Sequence, residues 1–189
     1  MGRDWGMNWD AQRFWNRREV GADGQHQHHV WFQRRGFDRR WMDLTVAIVK
    51  KSALVAHSAK RMFDLVYDVG SYPQFLPWCQ STEVILETDE KICGRIEVSR
   101  LGIHQTFSTC NIFERDRRME IALLDGPFRK LHGGWRFTPL REDACKVELE
   151  LEFEFSGRLI DKAFGAVFDQ IANSLVDAFC KRADSFYRT

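Results

Sequence analysis

Three histidines in the aliphatic-rich part of the chain, His57, His104 and His132, fall on three different elements. Acid–base or nucleophilic catalysis needs titratable groups that converge, and no nucleophile stands beside a base in this sequence. Gln105, Thr109 and Asn111 share the alternation parity of Phe107, so they face one side of a strand. None of the three is a good acid or base. Glu148, Glu150, Glu152 and Glu154 alternate with apolar residues. Such a row is either a cation site or the solvated outer face of a sheet. The five cysteines, at 79, 93, 110, 145 and 180, are odd in number, widely spaced and without a Cys-x-x-Cys pair. That pattern points to reduced thiols in a cytoplasmic setting rather than to a disulfide framework or a zinc site. These residues assign no catalytic group, no metal ligand and no cofactor, and they leave binding as the chemistry to look for.

The C-terminal stretch must position everything else. Val147, Leu149, Leu151, Phe153 and Phe155 keep strict period two, which gives one apolar face and one carboxylate face. Ser156-Gly157 breaks the alternation. Ile160, Phe164, Val167, Phe168, Ile171, Leu175 and Phe179 then recur three or four apart, the stripe of a helix. Ser156 is its expected N-cap, and a run of about 30 residues would measure roughly 45 Å. Upstream, Val46 to Val55 reads as a strand. Ser58 caps a short helix that puts Met62, Phe63 and Val66 on one face, and Pro73 and Pro77 confine the next segment to a turn. Period two resumes over 81–87, 92–100, 103–113, 119–124 and 131–139, with breaks of Gly, Pro or clustered charge.

The fold class is therefore α+β: a curved, seven-stranded antiparallel sheet around a long C-terminal helix. Seven strands span roughly 30 Å and one helix about 10 Å, so a flat sheet would stay largely uncovered. The sheet must curl, and a curled sheet closed by one helix leaves the kind of gap that ligands occupy.

Composition limits the alternatives. A net charge of +1 over 189 residues gives no reason to expect nucleic acid as the main partner. No apolar run approaches the eighteen or so residues of a membrane span. Residues 1–41 contain no Leu, Ile or Lys, yet hold five of the seven tryptophans and eight arginines, with a net charge of +3 against −2 for 42–189. Lacking aliphatic residues, they are expected to be disordered. Arg with Trp suits a membrane-surface or RNA-binding arm, while the five acidic residues count against a transit peptide. Gln25-His26-Gln27-His28-His29 looks like a metal tract, but histidines in a flexible arm are usually unligated. The expectation is that Met42 is the true start, that 1–41 is upstream sequence translated in frame, and that 42–189 is the domain.

Several segments stand in a familiar order: Ser52-Ala53-Leu54-Val55, Tyr72-Pro73-Gln74-Phe75-Leu76-Pro77-Trp78-Cys79, Asp125-Gly126-Pro127-Phe128, Trp135-Arg136-Phe137, Ala144-Cys145-Lys146-Val147 and Ala178-Phe179-Cys180-Lys181-Arg182-Ala183. With them the chain, from about 44 to 188, resembles the coenzyme Q-binding START-type family of the helix-grip (START/Bet v 1-like) superfamily. That resemblance implies a non-enzymatic protein with a cavity for a hydrophobic ligand. In mitochondrial members the ligand is ubiquinone, bound in support of respiration. Some bacterial members are ribosome association toxins, which bind the large ribosomal subunit and block subunit joining; a small antitoxin partner would go with that role. The expected ligand-binding residues are Tyr72, Phe75, Leu76, Trp78, Phe107, Trp135, Phe137, Phe164 and Phe168. The expected ribosome-binding residues are Arg115, Arg117, Arg118, Arg129 and Lys130, since ribosomal RNA is polyanionic. The expected location is cytoplasmic and peripheral to the inner membrane, with the Tyr72–Trp78 loop touching the membrane surface during ligand exchange.

Overall fold

A computed structural model describes residues 46–157 and 161–187, all within one unit that spans Asp43–Thr189. The expectations for residues 1–41 lie outside the described residues. The elements run β1 (Ala47–Val55), α1 (Ala59–Tyr67), a 3-10 helix (Val69–Gln74), β2 (Cys79–Glu87), β3 (Lys91–Arg100), β4 (Ile103–Glu114), β5 (Arg118–Asp125), β6 (Phe128–Arg141) and β7 (Ala144–Phe155). A single π-helical turn, Asp161–Gly165, leads into α2 (Ala166–Tyr187). The strands form one sheet in the order β1-β7-β6-β5-β4-β3-β2, antiparallel throughout.

The strand alternation does what the sequence expects of it. Along β7 the apolar positions Val147, Leu149, Leu151 and Phe153 are buried, and the glutamates face outward against cations on neighbouring strands. Lys50 pairs with Glu150 at 3.0 Å, Arg129 with Glu154 at 3.1 Å and Lys130 with Glu152 at 2.5 Å, and Lys146 pairs within β7 with Glu148 at 2.6 Å. The carboxylate row is thus a set of ion pairs on the outer face. Among the described residues no group of three or more His, Cys, Asp or Glu is placed to hold a metal ion.

The sheet bends where β6 carries Gly133-Gly134. A Cβ on Gly133, which has φ +149°, would collide with the Glu150 carbonyl of β7, and one on Gly134 would collide with the Met119 carbonyl of β5. Both neighbouring strands approach too closely for any side chain, the usual mark of a tight bend in a wrapped sheet. α1 closes one side with Met62, Phe63, Leu65 and Val66 buried, and Ser58 Oγ accepts from the Arg61 N–H as its N-cap at 3.3 Å.

The C-terminal helix is described over Asp161–Tyr187, a π-helical turn followed by 22 α-helical residues, about 33 Å of α-helix. The hydroxyl and the N–H of Ser156 both reach the Pro127 carbonyl at 2.9 Å, tying the end of β7 to the β5–β6 turn; the N–H groups it was expected to cap lie outside the described residues. One expectation is corrected: not all five thiols are reduced. Cys93 and Cys110 stand directly opposite in the β3–β4 register, with Cα atoms 4.0 Å apart, and form a disulfide. The cysteine argument for a reducing compartment falls with that pair. Cys79, Cys145 and Cys180 are free; burial pushes the thiols of Cys79 and Cys145 up to about 11.

Candidate functional site

Between the concave face of the sheet and α2 lies a cavity of about 80 Å³. Val66, Val69 and Tyr72 close it from the helical side, Trp78 from the start of β2, and Phe168, Ile171 and Phe179 from α2. The sheet contributes Ile96, Phe107, Met119, Leu131 and Trp135. Tyr72 is the one titratable side chain on this wall among the described residues. Its hydroxyl donates to the Val66 carbonyl at 2.6 Å, and burial drives its phenol well above the ordinary tyrosine range. The wall therefore offers no acid or base near neutral pH.

Its polar groups are few and sit together. Thr109 and Asn111, both buried, occupy successive inward positions of β4. Asn111 Oδ1 has no hydrogen-bond partner. Across the register, Thr109 faces Gly94 of β3, whose missing side chain lets the Val69 side chain pack against the strand there.

Outside the cavity, a groove of about 660 Å³ runs between α2 and the segment that joins the 3-10 helix to β2. Gln74, Phe75 and Pro77 form one bank, Ser174, Lys181 and Arg182 the other, and Arg100 closes the end. Arg182 holds the banks together. Its guanidinium lies 5.3 Å from the Phe75 ring centroid, and Nη2 donates to Gln74 Oε1 at 2.8 Å. Trp78 borders both the groove and the cavity and is only 4% exposed. It is the residue that the two lining sets share.

The structure brings together five of the nine aromatic and aliphatic residues expected from sequence: Tyr72, Trp78, Phe107, Trp135 and Phe168 line the cavity. Phe75 borders the groove. The other three pack elsewhere. Leu76 is fully buried in the core. Phe137 stacks on Trp135 at 6.3 Å and meets Phe63 edge-on at 5.8 Å. Phe164 joins Phe128 and Phe155 in an aromatic cluster that packs behind the cavity-lining Phe168. The sequence reading did not select Val69, Gly94, Asn111 or Phe179; the parity shared with Phe107 was the available signal for Asn111.

The basic residues do not form one patch. Arg115 stacks over Tyr67 and Phe113, at 5.0 and 5.5 Å from their ring centroids. Arg117 and Arg118 pair with Glu114, and Arg118 also with Glu120. Arg129 and Lys130 pair with Glu154 and Glu152. Arg118 stands level with Arg136 on β6, six residues along the strand from Lys130, so the two groups lie roughly 20 Å apart.

A seven-stranded antiparallel sheet gripping one C-terminal helix around an apolar cavity is the START-like, helix-grip fold. Residues 55–180 match the family described as polyketide cyclase / dehydrase and lipid transport, and the chain belongs to that family. It is 47% identical over 139 residues to the ribosome association toxin RatA of Vibrio cholerae, covering 74% of this chain and 96% of that protein. It is 29% identical over 141 residues to the mitochondrial coenzyme Q-binding protein COQ10 homolog B of Xenopus laevis, covering 72% of this chain and 58% of that protein. Among solved structures, the Zhui aromatase/cyclase of Streptomyces sp. R1128 superposes with a TM-score of 0.67 at 17% identity, covering 77% of this chain and 98% of the other. At that identity the likeness speaks to the fold alone. No helix among the described residues is long and apolar enough to cross a membrane.

Proposed function

We propose that this protein binds ubiquinone or a similar isoprenoid lipid without transforming it, in support of respiratory electron transport. The observation that carries the reading is the cavity with a mostly apolar wall, whose one titratable group among the described residues is a tyrosine held neutral by burial. Such a wall retains a ligand through apolar contact, worth about 0.8 kcal/mol per buried methylene, and supplies no acid or base for turnover. The likeness to a coenzyme Q-binding protein supports the choice of ligand. A cavity of about 80 Å³ is far smaller than a prenylated quinone. The tail therefore leaves past Trp78 into the outer groove, and loading requires the indole to move. Exchange takes place at a membrane surface, from a cytoplasmic, peripheral location. The β3–β4 turn beside the groove supports this, since it presents Leu101 at 79% exposure next to Arg100. The test is solvent extraction of protein purified from a quinone-making host. A redox-sensitive quinone spectrum at a substantial fraction of one equivalent is expected, and its absence under gentle purification refutes the reading.

A second reading, association with the large ribosomal subunit and a small antitoxin partner, is favoured by the 47% identity to a protein named a ribosome association toxin. Arg117 and Arg118 are its best candidates, being exposed and, among the described residues, paired with surface carboxylates, pairs that are worth little in water. Co-sedimentation with large subunits at moderate salt, lost when both arginines are replaced by glutamine, is the expected result. Persistence of binding in that variant removes these residues from the role.

A further inference from the structure

We propose that Asn111, seconded by Thr109, is the hydrogen-bonding anchor for one oxygen of the bound molecule, so that the cavity selects an apolar ligand ending in a carbonyl or hydroxyl over a bare hydrocarbon. This rests on the reading of the cavity as a hydrophobic-ligand site and names what that site recognises. Asn111 is 8% exposed and on the cavity wall, and its Oδ1 has no partner. Its register neighbours are Ile92 on β3 and Ile121 on β4's other side, in β5, neither of which can hydrogen-bond through its side chain. A buried amide oxygen without a partner is costly, and buried polar atoms are nearly always satisfied. The missing partner is supplied from the cavity. The amide can present its N–H groups to a carbonyl or, turned by half a rotation so that Oδ1 enters the cavity, its oxygen to a hydroxyl. One residue thus accommodates both the reduced and the oxidised state of a quinone-like head. Thr109, one inward position away, adds a hydroxyl that donates or accepts.

The register also orients the ligand. Cys79 stands level with Val98, and Val98 with Gln105, six positions along β4 from Asn111. The oxygen-bearing end therefore lies away from the Trp78 end of the cavity, and the apolar chain trails toward the groove.

The test is titration of the full-length protein, followed by tryptophan fluorescence, with decylubiquinone and with decylbenzene. The wild type is expected to bind decylubiquinone more tightly. Asn111→Leu, close in size and unable to hydrogen-bond, should weaken decylubiquinone by roughly tenfold to a hundredfold while leaving decylbenzene unchanged or tighter. Its melting temperature should not fall, because an unpartnered polar atom has been removed. Thr109→Val should weaken decylubiquinone by a smaller factor and gives an independent reading from a different side chain. Equal affinity of Asn111→Leu and wild type for decylubiquinone overturns the anchor and leaves the cavity reading standing. Failure of the wild type to bind either probe overturns the cavity reading and the anchor with it.

Discussion

Replacing Trp78 by alanine tests whether its indole partitions the cavity from the groove, and it separates a gating role from a packing role. The indole is 4% exposed, and truncating a buried aromatic costs about 3–5 kcal/mol when the void stays empty. Here the void would open into a groove of about 660 Å³ and fill with water, so the cost should sit near the lower end, about 3 kcal/mol. For a domain of this size that lowers the melting temperature by about 6–12 °C. The effect on a ligand is of a different kind. If the indole covers three carbons of the tail, their exposure costs about 2.4 kcal/mol at 0.8 kcal/mol per methylene, or about 50-fold in dissociation.

The control is Leu76→Ala, two residues away. Leu76 is fully buried but has no place on the cavity wall, and its truncation costs about 3–5 kcal/mol. Stopped-flow release of decylubiquinone to excess acceptor vesicles should be about 50-fold faster in Trp78→Ala and unchanged in Leu76→Ala, although the latter loses as much stability or more. Equal release rates in Trp78→Ala and wild type refute the partition. So does equally fast release from both variants, since that would reflect general loosening.

Other consequences can be checked directly. Leu101 and Gly102 both have positive φ, 53° and 77°, a turn that favours Asn-Gly over Leu-Gly. Leu101→Asn should raise stability by about 1 kcal/mol yet slow quinone transfer to anionic vesicles; unchanged transfer would remove this turn from membrane contact. Thiol titration in denaturant should count three free thiols before reduction and five after it, from the Cys93–Cys110 bridge and the free Cys79, Cys145 and Cys180. Five thiols without reductant would show the bridge absent. The hydrogen bond from Lys130, with neighbouring His132, holds the Glu152 carboxyl below the ordinary carboxylate range. A depressed folded-state value stabilises the fold above the ordinary range, and that contribution is lost as pH falls through the depressed value. Glu152→Gln should therefore flatten the acid limb of the stability profile, and an unaltered limb would show the pair to be inert.

The fold was legible because alternation reports faces. Val147 to Phe155 announced an inner and an outer side, and the change of period after Ser156-Gly157 announced the closing helix. Register is not written in alternation, since a strand keeps its faces under any two-residue slip. That is why the Cys93–Cys110 pairing was missed: it depends on which residue of β4 stands opposite Cys93. The same limit explains the aromatic residues. Phe137 and Trp135 share a face of β6, but α1 puts Phe63 against Phe137 and leaves Trp135 to the cavity. Asn111 could be assigned to the inner face by parity alone. Its lack of a partner appears only when Ile92 and Ile121 are seen beside it.

The two functional readings occupy different parts of the molecule, and this makes them separable. Asn111, Trp78 and Trp135 face the interior, whereas Arg117 and Arg118 lie at the exposed β4–β5 turn, paired with Glu114. Neither substitution set touches the contacts of the other, so their effects should add independently. The contact between them is indirect: Arg115 in the same turn stacks on Tyr67 at the end of α1, and Val66 of α1 lines the cavity. A ligand that displaces Val66 would be felt at Arg115 through the adjacent Tyr67. Ribosome binding that changes with quinone occupancy, and ceases to change in Arg115→Ala, would show that connection. Binding insensitive to occupancy would make cavity and turn two independent features of one fold.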